Sequence, residues 1–153
     1  MSSLIGNTEG KIDAKGRAFL PAIFRRLLSD ETVFYIRKGL YQNCLVLYPE
    51  SAWEDTMSEL RRQLNPWVIE EDSLFRQFVA ETDRIDLEDN GRMLIPKRHL
   101  QATNITSSVR FLGRDTVIEI WPIGKAEETF VDANTYGQKM QNVMKNARRP
   151  IQL

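Results

Sequence analysis

Asp13-Ala14-Lys15-Gly16-Arg17, followed by Pro21, decides how this chain is read, because the pattern returns as Glu88-Asp89-Asn90-Gly91-Arg92, followed by Pro96. Gly16 and Gly91, Arg17 and Arg92, Leu20 and Ile95, and Pro21 and Pro96 each stand 75 positions apart, with no gap between them. One unit is carried twice, each copy about 40 residues long. Further on the match continues with small slips. Val33-Phe34-Tyr35-Ile36 answers Val109-Arg110-Phe111-Leu112, and Leu45-Val46-Leu47-Tyr48-Pro49 answers Ile118-Glu119-Ile120-Trp121-Pro122.

Each motif lies between short β-prone runs, and glycine takes φ > 0 without steric cost, so Gly16 and Gly91 read as the tips of tight turns between strands. Residues 9–20 are expected to hold a first hairpin. Pro21 and Pro96 suit the first turn of a short helix, where a missing N–H costs nothing. The unit therefore predicts strand, turn, strand, short helix and two more strands. The chain divides into a first repeat over 5–52, connecting helices over 53–82, a second repeat over 83–126, and a C-terminal helix with a basic tail over 127–153.

The connecting segment has helical spacing. Ser51 is a candidate N-cap with Glu54 three residues on, and Trp53, Met57, Leu60 and Leu64 follow as one face. Asn65-Pro66 breaks that helix, and Leu74, Phe75, Phe78 and Val79 form the stripe of a second. Both stripes are open to two readings, packing against the β-units or a subunit interface. Tyr136, Met140, Val143 and Met144 mark a third amphipathic helix, which runs into Lys145-Asn146-Ala147-Arg148-Arg149-Pro150, read as a solvated basic end.

With 153 residues, 42% of them hydrophobic, the chain can bury one compact core, or two small ones sharing an interface, without disulfides. The lone Cys44 has no partner for an internal bridge and lies in an apolar strand, where a buried, inert thiol is expected. No basic region leads into an apolar core at the N-terminus, and no apolar run is long enough to cross a bilayer. A cytoplasmic protein with neither signal peptide nor membrane span is expected.

Enzyme chemistry lacks its residues. His99 is the only histidine, reads as a surface residue of the helix after Pro96, and has no neighbour suggesting a metal pair or a nucleophile with its base. Phosphate-cradling glycine motifs and HExxH are absent. The expectation is a protein without catalytic residues, metal, cofactor or small-molecule substrate.

Net charge is zero, with 21 basic and 21 acidic residues, so only the placement of the bases can point to nucleic acid. If the two turns are brought side by side, Arg17 and Arg92 project from one face, with Lys15 and Lys11 near the first. An arginine fork binds phosphate bidentately or reads guanine in the major groove, which a pair of β-strands is slim enough to enter. Lys11, Lys15, Gly16, Arg17, Asn90, Gly91 and Arg92 are thus the candidate DNA-binding residues. The alternative is that Asp13 with Arg17, and Glu88 with Arg92, are only local ion pairs that stiffen the turns; both can hold together. A reading from another class is a non-catalytic oligomeric scaffold that works through its acidic and aromatic helix faces.

The doubled Asp/Glu-(x)3-Arg-(x)3-Pro pattern at Asp13, Arg17, Pro21 and Glu88, Arg92, Pro96, with Arg37-Lys38-Gly39-Leu40 and Glu119-Ile120-Trp121, resembles the bacterial MraZ family of AbrB-like proteins. The likeness covers residues 5–121. It implies an α+β fold in which two AbrB-like swapped-hairpin β-units form an intramolecular pseudo-twofold barrel with peripheral helices. It also implies a nucleoid-associated transcriptional regulator of the division and cell-wall gene cluster. Such a regulator would be a homo-oligomer, a ring larger than a dimer, meeting short direct repeats of double-stranded promoter DNA. The second copy departs from the pattern: Glu88 stands for Asp, Asn90 for Lys15, and Asp89 adds a negative charge. Lys11, Lys15 and Arg17 against Asp13 sum to +2 around the first turn, whereas Arg92 against Glu88 and Asp89 sums to −1 around the second. DNA is therefore expected to prefer the first.

Overall fold

The computed structural model describes residues 3–146. Each repeat contributes four strands and a short helix: β1 (Asn7–Lys11), β2 (Arg17–Phe19), α1 (Ala22–Leu27), β3 (Val33–Lys38) and β4 (Leu45–Pro49), then β5 (Asp83–Asp86), β6 (Arg92–Leu94), α4 (Lys97–Thr103), β7 (Ser108–Arg114) and β8 (Val117–Pro122). Between them run α2 (Glu50–Gln63) and α3 (Ile69–Ala80), and α5 (Ala133–Asn146) follows a single 3-10 turn at Glu127–Thr129. Pro21, Pro49 and Pro96 immediately precede α1, α2 and α4 with φ of −54°, −55° and −56°. That is the value the proline ring imposes, and it leads into a helix.

The copies are interleaved. A six-stranded antiparallel sheet runs β1-β7-β8-β4-β3-β5, and a separate two-stranded ribbon pairs β2 with β6. The first strand of each copy thus pairs with the third strand of the other, β1 with β7 and β5 with β3, while β8 joins β4 at the centre. The expected first hairpin is closed only at its turn. Its strands share one isolated bridge, Ile12 to Ala18, before β1 and β2 leave for separate partners.

No closed barrel is found among the described residues. The sheet is open, with β1 and β5 as its edges. The three-residue strands β2 and β6 form a ladder only with each other, and the isolated bridge from Ala18 to Ile12 does not extend into one that would close the sheet. What the architecture supports is an α+β fold with two repeats around one core. Phe24, Phe34 and Phe111 are fully buried there with Leu20, Met93 and Ile95, residues that come from both copies. At about 1.5–3 kcal/mol for each large apolar side chain removed from water, a core drawn from both repeats ties the stability of each to the other.

Strand phase corrects one slip of the internal match. In β3 the buried positions include Phe34 and Ile36, and in β7 they are Val109 and Phe111, so the offset of 75 persists into the third strand and Phe34 answers Val109, not Arg110. The period-2 alternation, not residue likeness, sets that register.

The helices settle much of the stripe question. Trp53 is buried and stacks on Tyr35, with ring centroids 4.9 Å apart. Tyr48 meets the same Trp53 ring edge-on at 5.3 Å and Phe78 stacks on it at 5.7 Å, and the Arg37 guanidinium caps the Phe78 ring at 4.0 Å. Stacked rings and a cation over an aromatic face are both favourable geometries, and here they pack α2 and α3 on the sheet. Trp67, Ile69, Leu74 and Val79 remain exposed instead. The expected capping box does not form: α2 starts at Glu50, and Ser51 is held by the Glu31 carboxylate, which accepts from its N–H at 3.0 Å and its hydroxyl at 3.1 Å. No residue of α5 is buried, and its apolar stripe faces solvent in the single chain. Of the basic end, residues 147–150 lie outside the described residues. No helix among the described residues is long and apolar enough to cross a membrane.

Candidate nucleic-acid interface

Each Gly-Arg turn is closed by its own backbone. Gly16 N–H donates to the Asp13 carbonyl at 3.0 Å and Asp13 N–H to the Arg17 carbonyl at 2.9 Å; Gly91 and Glu88 repeat this at 2.8 Å and Glu88 with Arg92 at 2.9 Å. The glycines sit at φ +90° and +86°, where a side chain is strained. Each turn also grips the other copy, for Ile95 N–H donates to the Gly16 carbonyl at 2.8 Å and Leu20 N–H to the Gly91 carbonyl at 2.9 Å. The pseudo-twofold relation of the turns is thus held by hydrogen bonds between the copies.

The side chains around the two turns differ. One oxygen of the Asp13 carboxylate accepts from the N–H groups of Lys15 and Arg17, at 3.0 and 2.8 Å, and the other accepts from Arg17 Nε at 2.7 Å. The backbone amide of Arg17, with its guanidinium and the Lys15 amide, holds the Asp13 carboxyl below its ordinary value. In the second turn that backbone duty falls to Asn90, whose Oδ1 accepts from Arg92 N–H at 3.0 Å. Glu88 is left to take Arg92 through two nitrogens, Nε at 3.3 Å and Nη2 at 3.1 Å, and its hydrogen bonds raise the Arg92 guanidinium above its ordinary value. Among the described residues, Arg17 keeps both terminal nitrogens without a protein partner, whereas Arg92 keeps one.

The β2–β6 ribbon orients the arginines. Its register pairs Arg17 with Leu94, Ala18 with Met93 and Phe19 with Arg92. Ala18 and Met93 point into the core, 2% and 0% exposed, so by alternation Arg17, Phe19, Arg92 and Leu94 point outward together. A cleft of about 230 Å³ opens beside Arg17, Phe19 and Arg92, lined also by Lys11, Ile12, Asp13 and Ala18. Lys15 stands exposed in the first turn. Lys11, at the end of β1, is also exposed and donates from Nζ to Ser108 Oγ at 3.0 Å. The expected ion pairs of the turns do form, and they leave the arginines about one-third exposed on one face.

Two features of this face escaped the sequence. Phe19 and Leu94 share it, and the signal was present: each lies two residues after its arginine, the strand period. Arg25 of α1 reaches across to the second turn, its Nη1 3.5 Å from the Asn90 carbonyl, and no local pattern announces that contact.

His99, expected on the surface, is buried. Its Nε2 lies 2.8 Å from Asp83 Oδ2, and burial lowers its pKa against the opposing pull of that carboxylate. A larger concavity, of about 810 Å³, opens elsewhere beside Cys44, Tyr48, Arg114 and Trp121. There Trp121 Nε1 donates to Glu119 Oε1 at 2.9 Å. None of the turn residues lines that concavity.

The comparisons with known proteins agree with this doubled architecture. The family model described as "MraZ protein, putative antitoxin-like" matches the chain twice, over residues 4–67 and 78–141. The chain belongs to the MraZ family. It is 47% identical to the transcriptional regulator MraZ of Bacteroides fragilis over 97% of this chain and 96% of that one. It is 46% identical to that of Phocaeicola vulgatus over 92% of each chain, and 42% identical to that of Bacteroides thetaiotaomicron over 97% of each. The curated relatives are named as transcriptional regulators, a class defined by control of transcription and not by catalysis.

Proposed function

We propose that this chain is a sequence-specific, double-stranded DNA-binding transcriptional regulator whose contact surface is built on Lys11, Lys15, Gly16, Arg17, Asn90, Gly91 and Arg92. The observation that carries the reading is that the β2–β6 register gives Arg17 and Arg92 one shared outward face, where their forks can reach phosphate or guanine. Asp13 and Glu88 orient those forks without covering them. The proposed target is promoter DNA of the division and cell-wall gene cluster, met through short direct repeats, with the protein in the cytoplasm on the nucleoid.

Assembly into a ring of several copies belongs to the same reading. It is supported by Trp67 and Ile69, 92% and 89% exposed where α2 gives way to α3, and by the uncovered stripe of α5. Together these are more apolar surface than single scattered residues. The four basic residues of that surface in each chain, Lys11, Lys15, Arg17 and Arg92, multiplied around a ring, yield avidity and a steep loss of affinity with salt.

Selection of bound fragments from random DNA by the purified protein, followed by mass measurement of the complex, tests both parts. A recurrent short repeat, bound by an assembly larger than a dimer and released as salt rises, is expected. Failure to enrich any sequence, or an affinity flat with salt, would favour the oligomeric scaffold.

A further inference from the structure

The outward face of the β2–β6 ribbon is a checkerboard. Arg17 lies across from Leu94 and Phe19 across from Arg92, so the arginines hold one diagonal and two large apolar side chains the other. Phe19 is 58% and Leu94 55% exposed, although Ala18 and Met93, which separate them from their arginines, are only 2% and 0% exposed. Single exposed apolar residues are ordinary on any surface. Here the two copies each set one on the same face, at the same spacing from an arginine, with Lys11 and Lys15 at the margin.

We propose that Phe19 and Leu94 are specificity-determining residues, which read thymine C5-methyl groups in the major groove beside bases or phosphates engaged by Arg17 and Arg92. This rests on the DNA-binding reading and deepens it. The basic residues around the pair make DNA the fitting occupant, as they would repel a second copy of the same positive face. A two-stranded ribbon fits the major groove, about 12 Å wide, and not the minor groove of about 6 Å. The thymine methyl is the one apolar group that a base pair presents in the major groove, and it pairs with side chains such as phenylalanine. Spacing agrees: two residues along a strand span about 6.8 Å, which matches two base-pair steps of about 3.4 Å. Each arginine contact is therefore expected within about two base pairs of a read thymine.

The experiment uses a duplex selected by the protein from random DNA, with its thymines replaced one at a time by deoxyuridine, which removes only the methyl group. For the wild-type protein, uracil at a read position is expected to weaken binding about fourfold, the effect of one buried methyl. Phe19→Ala or Leu94→Ala should lose a similar factor on the thymine duplex and then be indifferent to uracil at the position it reads, a coupling that isolates the contact. Phe19→Leu should retain the response, and the slope of affinity with salt should be unchanged in all variants, because no phosphate contact is lost.

Variants that respond to uracil as the wild type does, or a wild-type protein indifferent to every methyl while still dependent on Arg17, would overturn the proposal and leave the DNA-binding reading intact. A loss of affinity without methyl coupling would point to a wedge inserted from the minor groove, and an altered assembly mass to a subunit contact; either also overturns it. If the wild-type protein enriches no duplex, the DNA-binding reading itself fails, and this proposal with it.

Discussion

Arg25 covers Gly91. A Cβ built on that glycine would stand 2.5 Å from Arg25 Nη1, so an arginine of the first copy's helix lies against the turn of the second. The equivalent neighbour of Gly16 is Leu100, on the helix of the second copy, which brings no charge. Adding Arg25 to Arg92, Glu88 and Asp89 raises the local sum at the second turn from −1 to zero, against +2 at the first.

The asymmetry expected between the turns therefore persists but narrows. Arg17→Ala should weaken binding to a selected duplex by about tenfold or more per engaged site, multiplied in an assembly. Arg92→Ala should cost less, because Glu88 already holds two of that arginine's nitrogens. Arg25→Ala should enlarge the gap between the turns by lowering the charge at the second. Titrations of the three variants on one duplex, with folding checked by circular dichroism, test this; equal losses from Arg17→Ala and Arg92→Ala would refute the charge argument.

Asn90→Lys separates charge from geometry. By charge alone it should tighten binding, since it restores the first copy's pattern. The Asn90 side-chain carbonyl oxygen, however, is the acceptor for Arg92 N–H, a hydrogen bond that lysine cannot replace. A lower melting temperature is expected, with any gain in affinity visible only at low salt.

The two turn glycines should differ in their tolerance of alanine. Both carry the cost of a left-handed backbone, about 1–2 kcal/mol. At Gly16 a Cβ would also stand 2.6 Å from the Ile95 carbonyl oxygen, part of the backbone that clamps the copies together and cannot move alone. At Gly91 the obstacle is the end of the Arg25 side chain, which can swing away. Gly16→Ala should be the more destabilising in denaturant titration, by more than about 1 kcal/mol.

Acid should destabilise the fold through His99. It faces Asp83 of β5, its neighbour Arg98 and Arg37 of β3, and burial, the largest influence, depresses its pKa below the ordinary 6.5. The unfolded chain therefore takes up a proton near that ordinary value that the folded chain refuses, and stability falls as pH drops from there toward the folded value. At Asp83 burial is outweighed by hydrogen bonds from Arg98 and His99, so its pKa lies below the ordinary 3.8 and a further loss sets in as pH falls past that value. His99→Gln should flatten the dependence of unfolding free energy between the ordinary histidine value and the acid limb; an unchanged slope would show that His99 titrates alike in both states.

Cys44 should be silent toward thiol reagents in the native protein. Burial, with Glu119 nearby, pushes its thiol up to about 12, which leaves almost no thiolate at neutral pH. Alkylation is expected only at the rate of unfolding, and rapid labelling of folded protein would contradict it.

Much of this molecule is set within a few residues of chain, and those parts are legible without coordinates. A left-handed turn needs glycine at Gly16 and Gly91, a helix accepts proline only at its start, and a carboxylate four residues before Arg17 or Arg92 closes on it; the doubling of those signals marks the two copies. The apolar stripes are likewise written in the chain, but their partners are not. Strand pairing belongs to the tertiary structure, because β1 and β2 are adjacent in the chain yet find their ladders only with β7 and β6 of the other copy. The same long-range packing buried His99 against Asp83, sent Trp53 between Tyr35 and Phe78, and laid Arg25 over Gly91. Residues so far apart along the chain share no local periodicity, and only the free energy of burying one common core selects those contacts.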